Sequence, residues 1–178
     1  TFTRLGTCAY SAGCAHSIYV GGFGALTVTE KLYPPVVTGH LLLGFSTLTV
    51  LFLLHLRLSR AFPRTGDSRV AKLQGLATAA LAVLVLQILL GGWTASNYAA
   101  TVCTELPICQ PGWTQFLQWR EAFSITHVDD ANYEFAPHLS AAAKMTIHVA
   151  HRMGALVVVS ILLLLIFALL KQAQAIRY

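Results

Sequence analysis

Residues 155–170 read ALVVVSILLLLIFALL, with Ser160 as the single polar side chain. Together with the residues before it, this run belongs to a largely apolar stretch from 141 to 171. A helix needs roughly 20 mainly apolar residues to cross the hydrocarbon core of a bilayer. We therefore predict a transmembrane helix over 141–171.

Two earlier stretches have the same character. Residues 36–58 contain no Asp, Glu, Lys or Arg before Arg57, and residues 72–95 contain none after Lys72. The 178-residue chain is 56% hydrophobic and 11% charged, whereas soluble domains carry roughly 25% charged residues. The alternative, buried helices of a large soluble protein, is disfavoured by this composition. The predicted fold class is an all-α membrane protein, a transmembrane helix bundle with three clear spans and a partial one.

The partial span covers residues 16–28, which are too few to cross a bilayer and are interrupted by Gly21, Gly22 and Gly24. We predict that it is the end of a helix whose beginning is missing. The chain starts at Thr1 rather than Met and shows no signal peptide. We therefore expect a fragment, a processed product or an incomplete sequence.

Basic residues concentrate between the first and second spans. This group comprises Arg57, Arg60, Arg64, Arg69 and Lys72, against the single acid Asp67. Lys171 and Arg177 follow the third span. The positive-inside rule places both segments on the cytoplasmic or matrix side. A nucleic-acid patch would also be basic, but a short loop between two apolar spans does not favour one.

Cysteines support this orientation. Cys103 and Cys109 lie in the long segment between the second and third spans, and Cys8 and Cys14 lie near the N-terminus with the same spacing. Disulfides persist in oxidising compartments such as the periplasm, which agrees with an outer location. Zinc binding is the alternative, although zinc cysteine pairs are usually closer together. We predict a disulfide for Cys103 and Cys109 and leave both alternatives open for Cys8 and Cys14.

Aromatic residues recur in the same outer segment. They have spacings of three and four, which put most of them on one face of a helix. We predict an amphipathic helix that lies along the membrane surface and anchors the segment in lipid. The residues concerned are Trp113, Phe116, Leu117, Trp119, Arg120 and Phe123.

Histidines lie within two of the spans. His40, in TGHLLLG, is about one turn inside the outer end of the first span, and His148 and His151, in IHVAHRMGA, are near the outer end of the third. An ionisable group within a span is costly and indicates a function by default. Imidazole is a standard axial ligand of haem iron. We therefore predict haem ligation by His40 and His151 with His148 nearby; the alternative is that these histidines only pack.

Arg152 follows His151 directly. A buried guanidinium needs an anionic partner, and haem propionates would supply one through paired hydrogen bonds. The alternative is an arginine that extends to the outer headgroups. His16, His55, His127 and His138 receive no functional role.

Three stretches together resemble the haem A synthase family. LQILLGGWTASNYAATVCTELPIC (86–109) and IHVAHRMGALV (147–157) resemble the second half of these enzymes, and GALTVTEKLYPPVVTGHLLLGFSTLTVLFLLHLRL (24–58) resembles the end of the third helix and the whole fourth helix. The resemblance covers roughly residues 21–170. It implies a bundle of eight helices in two similar halves, each with a haem site between two histidines.

The resemblance also implies an activity. These enzymes oxidise the methyl group at ring position 8 of haem O to a formyl group, which gives haem A for cytochrome oxidase; one half handles the substrate and the other holds haem b. His40 matches the fourth-helix ligand of the first half, and His151 with Arg152 matches the sixth-helix ligand of the second. Cys103 and Cys109 match the cysteine pair of the outer loop in the second half.

The sequence departs from the family pattern near both ends. TFTRLGTCAYSAGC (1–14) resembles the first outer loop of the family, but the second, seventh and eighth helices, with their histidines, are missing. Each predicted ligand therefore lacks its usual partner. Haem would bind through one histidine, between His40 and His151, or between subunits.

We accordingly expect a haem A synthase or a fragment of one; the alternatives are an electron-transfer protein of the cytochrome b type and a non-catalytic membrane subunit. Expected partners are haem O, the lipid bilayer, an electron donor of unknown identity, a haem O-producing enzyme and oxidase-assembly proteins, but no nucleic acid. The expected location is the bacterial inner membrane or the mitochondrial inner membrane.

The predicted segments are an outer-face segment with a cysteine pair and a partial helix (1–35), a span (36–58), a cytoplasmic basic loop (59–71), a span (72–95), an outer loop (96–140), a span (141–171) and a cytoplasmic tail (172–178).

Overall fold

A computed structural model describes residues 2–59, 73–126 and 132–177, with side chains from residue 15 to residue 173 within these ranges. The described residues form helices and irregular connections, with no strand among them. The elements are α1 (Phe2–Thr29), α2 (Pro34–Leu58), α3 (Gln74–Ser96), a 3₁₀ turn (Trp113–Phe116), α4 (Trp119–Ala122) and α5 (Ala141–Arg177). The all-helical fold class is confirmed.

Three helices of the described chain are long and apolar enough to cross a membrane. They are α2, α3 and the portion Ala141–Ala173 of α5. Only 6% of the most apolar window of α5 is buried within the chain, so its apolar surface requires lipid or further helices as its surroundings. The chain is therefore a membrane protein with a helix-bundle architecture.

The N-terminal helix differs from its prediction. One continuous helix of 28 residues replaces the expected loop and partial helix, although α1 is not among the three helices apolar enough to span. A glycine within a helix costs roughly 1 kcal/mol relative to alanine, and tertiary packing offsets that cost here. The ring of His40 packs directly against Gly24. The glycines of α1 are thus compatible with a helix because at least one of them provides a contact surface.

The helices form a layer in the order α1, α2, α3, α5, in which each packs on the next. Small residues bring the backbones close together at each interface, as is common between membrane helices. The glycines that contact the neighbouring helix are Gly24 and Gly39 between α1 and α2, Gly92 between α2 and α3, and Gly91 and Gly154 between α3 and α5. This order decides which helix faces each histidine.

The connections at one end of the bundle are hydrogen-bonded to the helices. Trp93 donates through Nε1 to the carbonyl of Ala122 at 2.9 Å. Glu121 accepts from the backbone nitrogen of Ser140 at 2.7 Å and from its hydroxyl at 2.8 Å. The Ser140 hydroxyl accepts in turn from the backbone nitrogen of Ala143 at 3.1 Å, which is the bond that caps the start of a helix. The long connection is thereby fixed against α5.

The predicted amphipathic helix is instead two separate turns. The 3₁₀ turn ends at Phe116 and is followed by Leu117, whose backbone is extended (φ −67°, ψ 126°), and α4 begins after Gln118. The backbone nitrogen of Gln118 donates to the hydroxyl of Thr146 on α5 at 2.8 Å. This tertiary bond outweighs the local spacing pattern. Phe116 and Trp119 remain more than half exposed, so the expected lipid contact stays a prediction.

Two expectations lie outside the described residues. The basic loop between the first two spans falls largely in residues 60–72, and a Cys8–Cys14 pairing concerns side chains that are not described.

Candidate functional site

His40 lies at the interface between α1 and α2. A methyl group at Gly24 would lie 3.1 Å from Cε1 and 3.7 Å from both ring nitrogens, so the imidazole is seated against the glycine backbone. Its Nδ1 is buried and has no hydrogen-bond partner among the described residues. An unpaired buried polar atom is costly, but this nitrogen is inaccessible to an external ligand, so a ligand would have to bind through Nε2.

A shallow, open groove of about 280 Å³ lies on the surface of α2 beside His40, and all its lining residues belong to this one helix. Its walls are apolar except for the imidazole. They comprise His40, Leu41, Gly44, Phe45 and Leu48. Sites for flat organic ligands are typically apolar with a few polar groups that fix orientation. The groove offers one nitrogen donor in an otherwise apolar trough.

His151 lies at the interface between α3 and α5. A methyl group at Gly91 would lie 3.3 Å from Cε1 of the ring. The amide nitrogen of Gln87 is 3.0 Å from Nδ1 of His151 and 2.9 Å from its backbone carbonyl. Two residues of α3, one turn apart, thus hold this imidazole in place.

The two predicted iron ligands do not face each other. His40 contacts α1, whereas His151 contacts α3, and the layer order separates these interfaces. This arrangement does not favour the alternative in which His40 and His151 bind one haem between them within a single chain. Each histidine belongs to a site of its own.

His148 is in a different situation. It is only 7% exposed. Its Nδ1 lies 3.2 Å from the backbone nitrogen of Cys103, and its Nε2 lies 3.1 Å from Nε of Arg152. Both ring nitrogens thus lie within hydrogen-bonding distance of protein nitrogens, and a neutral imidazole can accept only one of these two hydrogen bonds. In the structure the His148 ring lies where the outer connection folds back onto α5, and its expected role in cofactor binding stays a prediction.

Arg152 connects α5 to the outer connection. Besides the bond to His148, it donates from Nη1 to the carbonyls of Glu105 and Ile108 and from Nη2 to that of Cys103. Three of its five N–H donors are thereby used by backbone carbonyls, and Nε faces the His148 ring. The guanidinium is thus largely engaged by the outer connection, and the predicted binding of a propionate stays a prediction.

Cys103 and Cys109 form a disulfide, as the sequence predicts. Both residues are buried and pack with Val149 of α5. The small loop they close is the same loop whose carbonyls accept from Arg152. Disulfide, arginine and His148 form one structural unit next to His151.

The residues present fit a haem better than a metal ion bound by side chains alone. The described residues contain no group of three or more His, Cys, Asp or Glu that could hold a metal ion. Haem iron needs only one or two axial ligands. The imidazole of His40 is uncommitted, and that of His151 is held by a neutral amide. The sequence analysis did not predict a role for Gln87. Its position as the one amide side chain in the apolar stretch 75–93 could have indicated one.

Comparisons with known proteins identify the family of the chain. The model of the COX15-CtaA family, described as cytochrome oxidase assembly proteins, matches residues 9–178. The chain belongs to the COX15-CtaA family. A COX15-CtaA relative from Shewanella oneidensis, named heme A synthase, is 46% identical over 157 residues.

That alignment covers 88% of this COX15-CtaA chain and 47% of the relative. The chain therefore spans about half the length of the curated relative it matches. No solved structure matches the chain significantly.

Proposed function

We propose that this chain carries out, as part or whole of a haem A synthase, the oxidation of the ring-position-8 methyl group of haem O to a formyl group, which produces haem A for cytochrome oxidase. The observation that carries the proposal is the pair of membrane-embedded imidazoles, each seated against a glycine of a neighbouring helix. Family membership and the name of the Shewanella relative support the same activity.

The chemistry fixes what must be supplied. Conversion of the methyl carbon to a formyl carbon removes two hydrogens and adds one oxygen, a four-electron oxidation when water is the oxygen source. With water as the oxygen source, the four electrons must pass to an external acceptor. With dioxygen as the oxygen source, two successive hydroxylations would consume two molecules of dioxygen, four protons and four electrons from an external donor, and would release three molecules of water. A haem b cofactor at one of the two sites would supply the redox chemistry of iron.

The residues of the chain have separate tasks. His40 offers an uncommitted imidazole in an apolar groove, which suits a hydrophobic macrocycle. His151 offers an imidazole whose orientation is set by α3. We propose these two as iron ligands, with His148 and Arg152 as supports of the adjoining loop. We assign haem O to the His40 site and haem b to the His151 site.

We further propose that the connection holding the Cys103–Cys109 disulfide is on the outer face of a bacterial inner membrane or a mitochondrial inner membrane. An oxidising outer compartment keeps such a bond intact. The remaining expected partners, an electron donor, a haem O-producing enzyme and oxidase-assembly proteins, belong to the same proposal.

The test is a visible spectrum of the full chain purified in detergent. We expect a haem Soret band that is reduced in His40→Ala and in His151→Ala and is lost in the double variant. His55→Ala, an exposed histidine near the other end of α2, is the matched control. A band that survives loss of both proposed ligands would overturn the proposal.

A second measurement separates synthesis from simple haem binding. The chain is incubated with haem O, a reductant and oxygen, and the haems are extracted and analysed by mass. A formyl haem that disappears in His40→Ala supports the enzyme. Stable haem b binding without any formyl product would favour an electron-transfer protein of the cytochrome b type.

A further inference from the structure

We propose that Gln87 is a positioning residue for His151: its side-chain amide controls the orientation of the imidazole and the nitrogen that carries the proton. This inference rests on the proposed function, in which His151 ligates haem iron. It concerns the contact between α3 and α5 rather than the haem itself.

The nitrogen and the oxygen of the Gln87 side-chain amide differ in their hydrogen bonding. Nε2 of Gln87 is within hydrogen-bonding distance of both Nδ1 and the backbone carbonyl of His151, at 3.0 and 2.9 Å. Oε1 of the same amide is buried and has no partner among the described residues. A buried amide with one satisfied end and one orphaned end loses free energy at the orphaned end.

In this arrangement Nδ1 of a neutral His151 accepts a hydrogen bond, so the proton is on Nε2. An imidazole that binds iron through Nε2 must leave that nitrogen unprotonated and carry its proton on Nδ1. Rotation of the amide by half a turn would present Oε1 to the Nδ1 proton. The rotation gains the bond from the Nδ1 proton to Oε1. It also brings Oε1 close to the His151 carbonyl oxygen and moves the amide N–H groups to the position where Oε1 now has no partner. The terminal torsion of glutamine is soft, so the bond from Nε2 of His151 to iron would decide which orientation is the more stable.

Gly154 makes room for this amide. It lies three residues after His151 on α5, and a methyl group built there would overlap Oε1 of Gln87 and lie 3.3 Å from its Cδ. The amide thus fits between the His151 ring and a position without a side chain. An alanine at 154 would push the flexible end of Gln87 away while improving the intrinsic helix propensity of α5.

The direction of the electronic effect follows from the strength of the acceptor at Nδ1. A stronger acceptor makes the imidazole a better donor to iron, stabilises the oxidised state and lowers the reduction potential. Gln87→Glu should therefore lower the potential of the His151-dependent haem. Gln87→Leu should raise it, and Gly154→Ala should move it in the same direction as Gln87→Leu.

The experiment is a spectroelectrochemical titration of the full chain in detergent, loaded with haem b, with the electron paramagnetic resonance spectrum of the oxidised haem as a second readout. Gly75→Ala is the matched control, because a methyl group there meets nothing within 4 Å on the same helix as Gln87. We expect the native potential for Gly75→Ala, a lower one for Gln87→Glu and a higher one for Gln87→Leu and Gly154→Ala.

The possible outcomes distinguish a failure of the proposed function from a failure of the role proposed for Gln87. If native protein binds no haem, or its haem is indifferent to His151→Ala, the proposed function fails. If haem binds through His151 but the Gln87 variants keep the native potential or shift it in one common direction, Gln87 only packs and this inference is overturned. Should Gln87→Leu fail to fold, Gln87→Glu and Gly154→Ala still decide the question.

Discussion

Arg152 on α5 donates a hydrogen bond of 2.9 Å to the backbone carbonyl of Cys103, 49 residues earlier in the chain. Through this bond the disulfide loop is fixed to the residue that directly follows a proposed iron ligand. The position of the loop and the position of His151 on its helix are therefore linked.

Replacement of Arg152 by lysine should release the loop. A lysine ammonium cannot reproduce the planar fork that reaches three carbonyls and an imidazole, and hydrogen bonds from charged groups contribute roughly 1.5–3 kcal/mol each without adding fully. We expect a destabilisation of about 2 kcal/mol or more, seen as a lower melting temperature in detergent. Arg120→Lys, at an exposed position of α4, is the control; equal effects of the two changes would contradict the assigned role.

Loss of the disulfide should have a moderate effect. Cys103 and Cys109 are separated by six positions, and the chain-entropy model gives about 2 kcal/mol for a loop this short. We expect Cys103→Ser/Cys109→Ser to melt at a lower temperature than the native chain. Reductant should destabilise the native chain more than the double variant. A reductant effect of the same size in both would show that this disulfide contributes nothing.

Gly24→Ala should weaken haem binding at the His40 site. The new methyl group would lie 3.1 Å from Cε1 of His40, so the ring must shift, and overpacking of this kind costs about 1–3 kcal/mol. We expect at least roughly a five-fold loss of haem affinity, measured by titration of haem into the His151→Ala background. Gly21→Ala, where a methyl group meets nothing within 4 Å, should bind haem as its parent does.

His138 should make stability depend on pH. Burial lowers the pKa of His138 below its ordinary value of 6.5, the charge of Lys144 lowers this pKa further, and Glu121 raises it in part. Between the lowered pKa and 6.5 the unfolded chain binds more protons than the folded chain, so stability is lost as pH falls through this window. The neutral ring also makes an edge contact with Tyr133, with centroids 5.0 Å apart.

The measurement is the melting temperature at several pH values from slightly alkaline to mildly acidic. His138→Gln removes the titrating group, so its melting temperature should fall less on acidification than that of the native chain. An identical fall in both proteins would show that other groups account for the acid sensitivity.

The amino-acid sequence by itself determined the membrane-spanning segments. The stretch from 141 to 171 and its two counterparts are mainly apolar and long enough as helices to cross the hydrocarbon core of a bilayer, and this property depends on composition rather than on contacts. It also placed His40 and His151 within spans, because position along a helix is set by residue count at 1.5 Å per residue. The sequence likewise indicated the Cys103–Cys109 disulfide, because the two cysteines lie in a segment expected on the oxidising side and are farther apart than the usual cysteine pairs of zinc sites.

Only the tertiary structure decided which side chains meet. An apolar helix such as α3 has no polar face that would fix its rotation about its own axis, so its sequence does not reveal that Gln87 and Gly91 face His151. The same holds for Arg152, whose guanidinium is engaged by carbonyls of a loop more than 40 residues away. Depth in the membrane follows from the order of residues, whereas the partner at that depth depends on how neighbouring helices and loops pack.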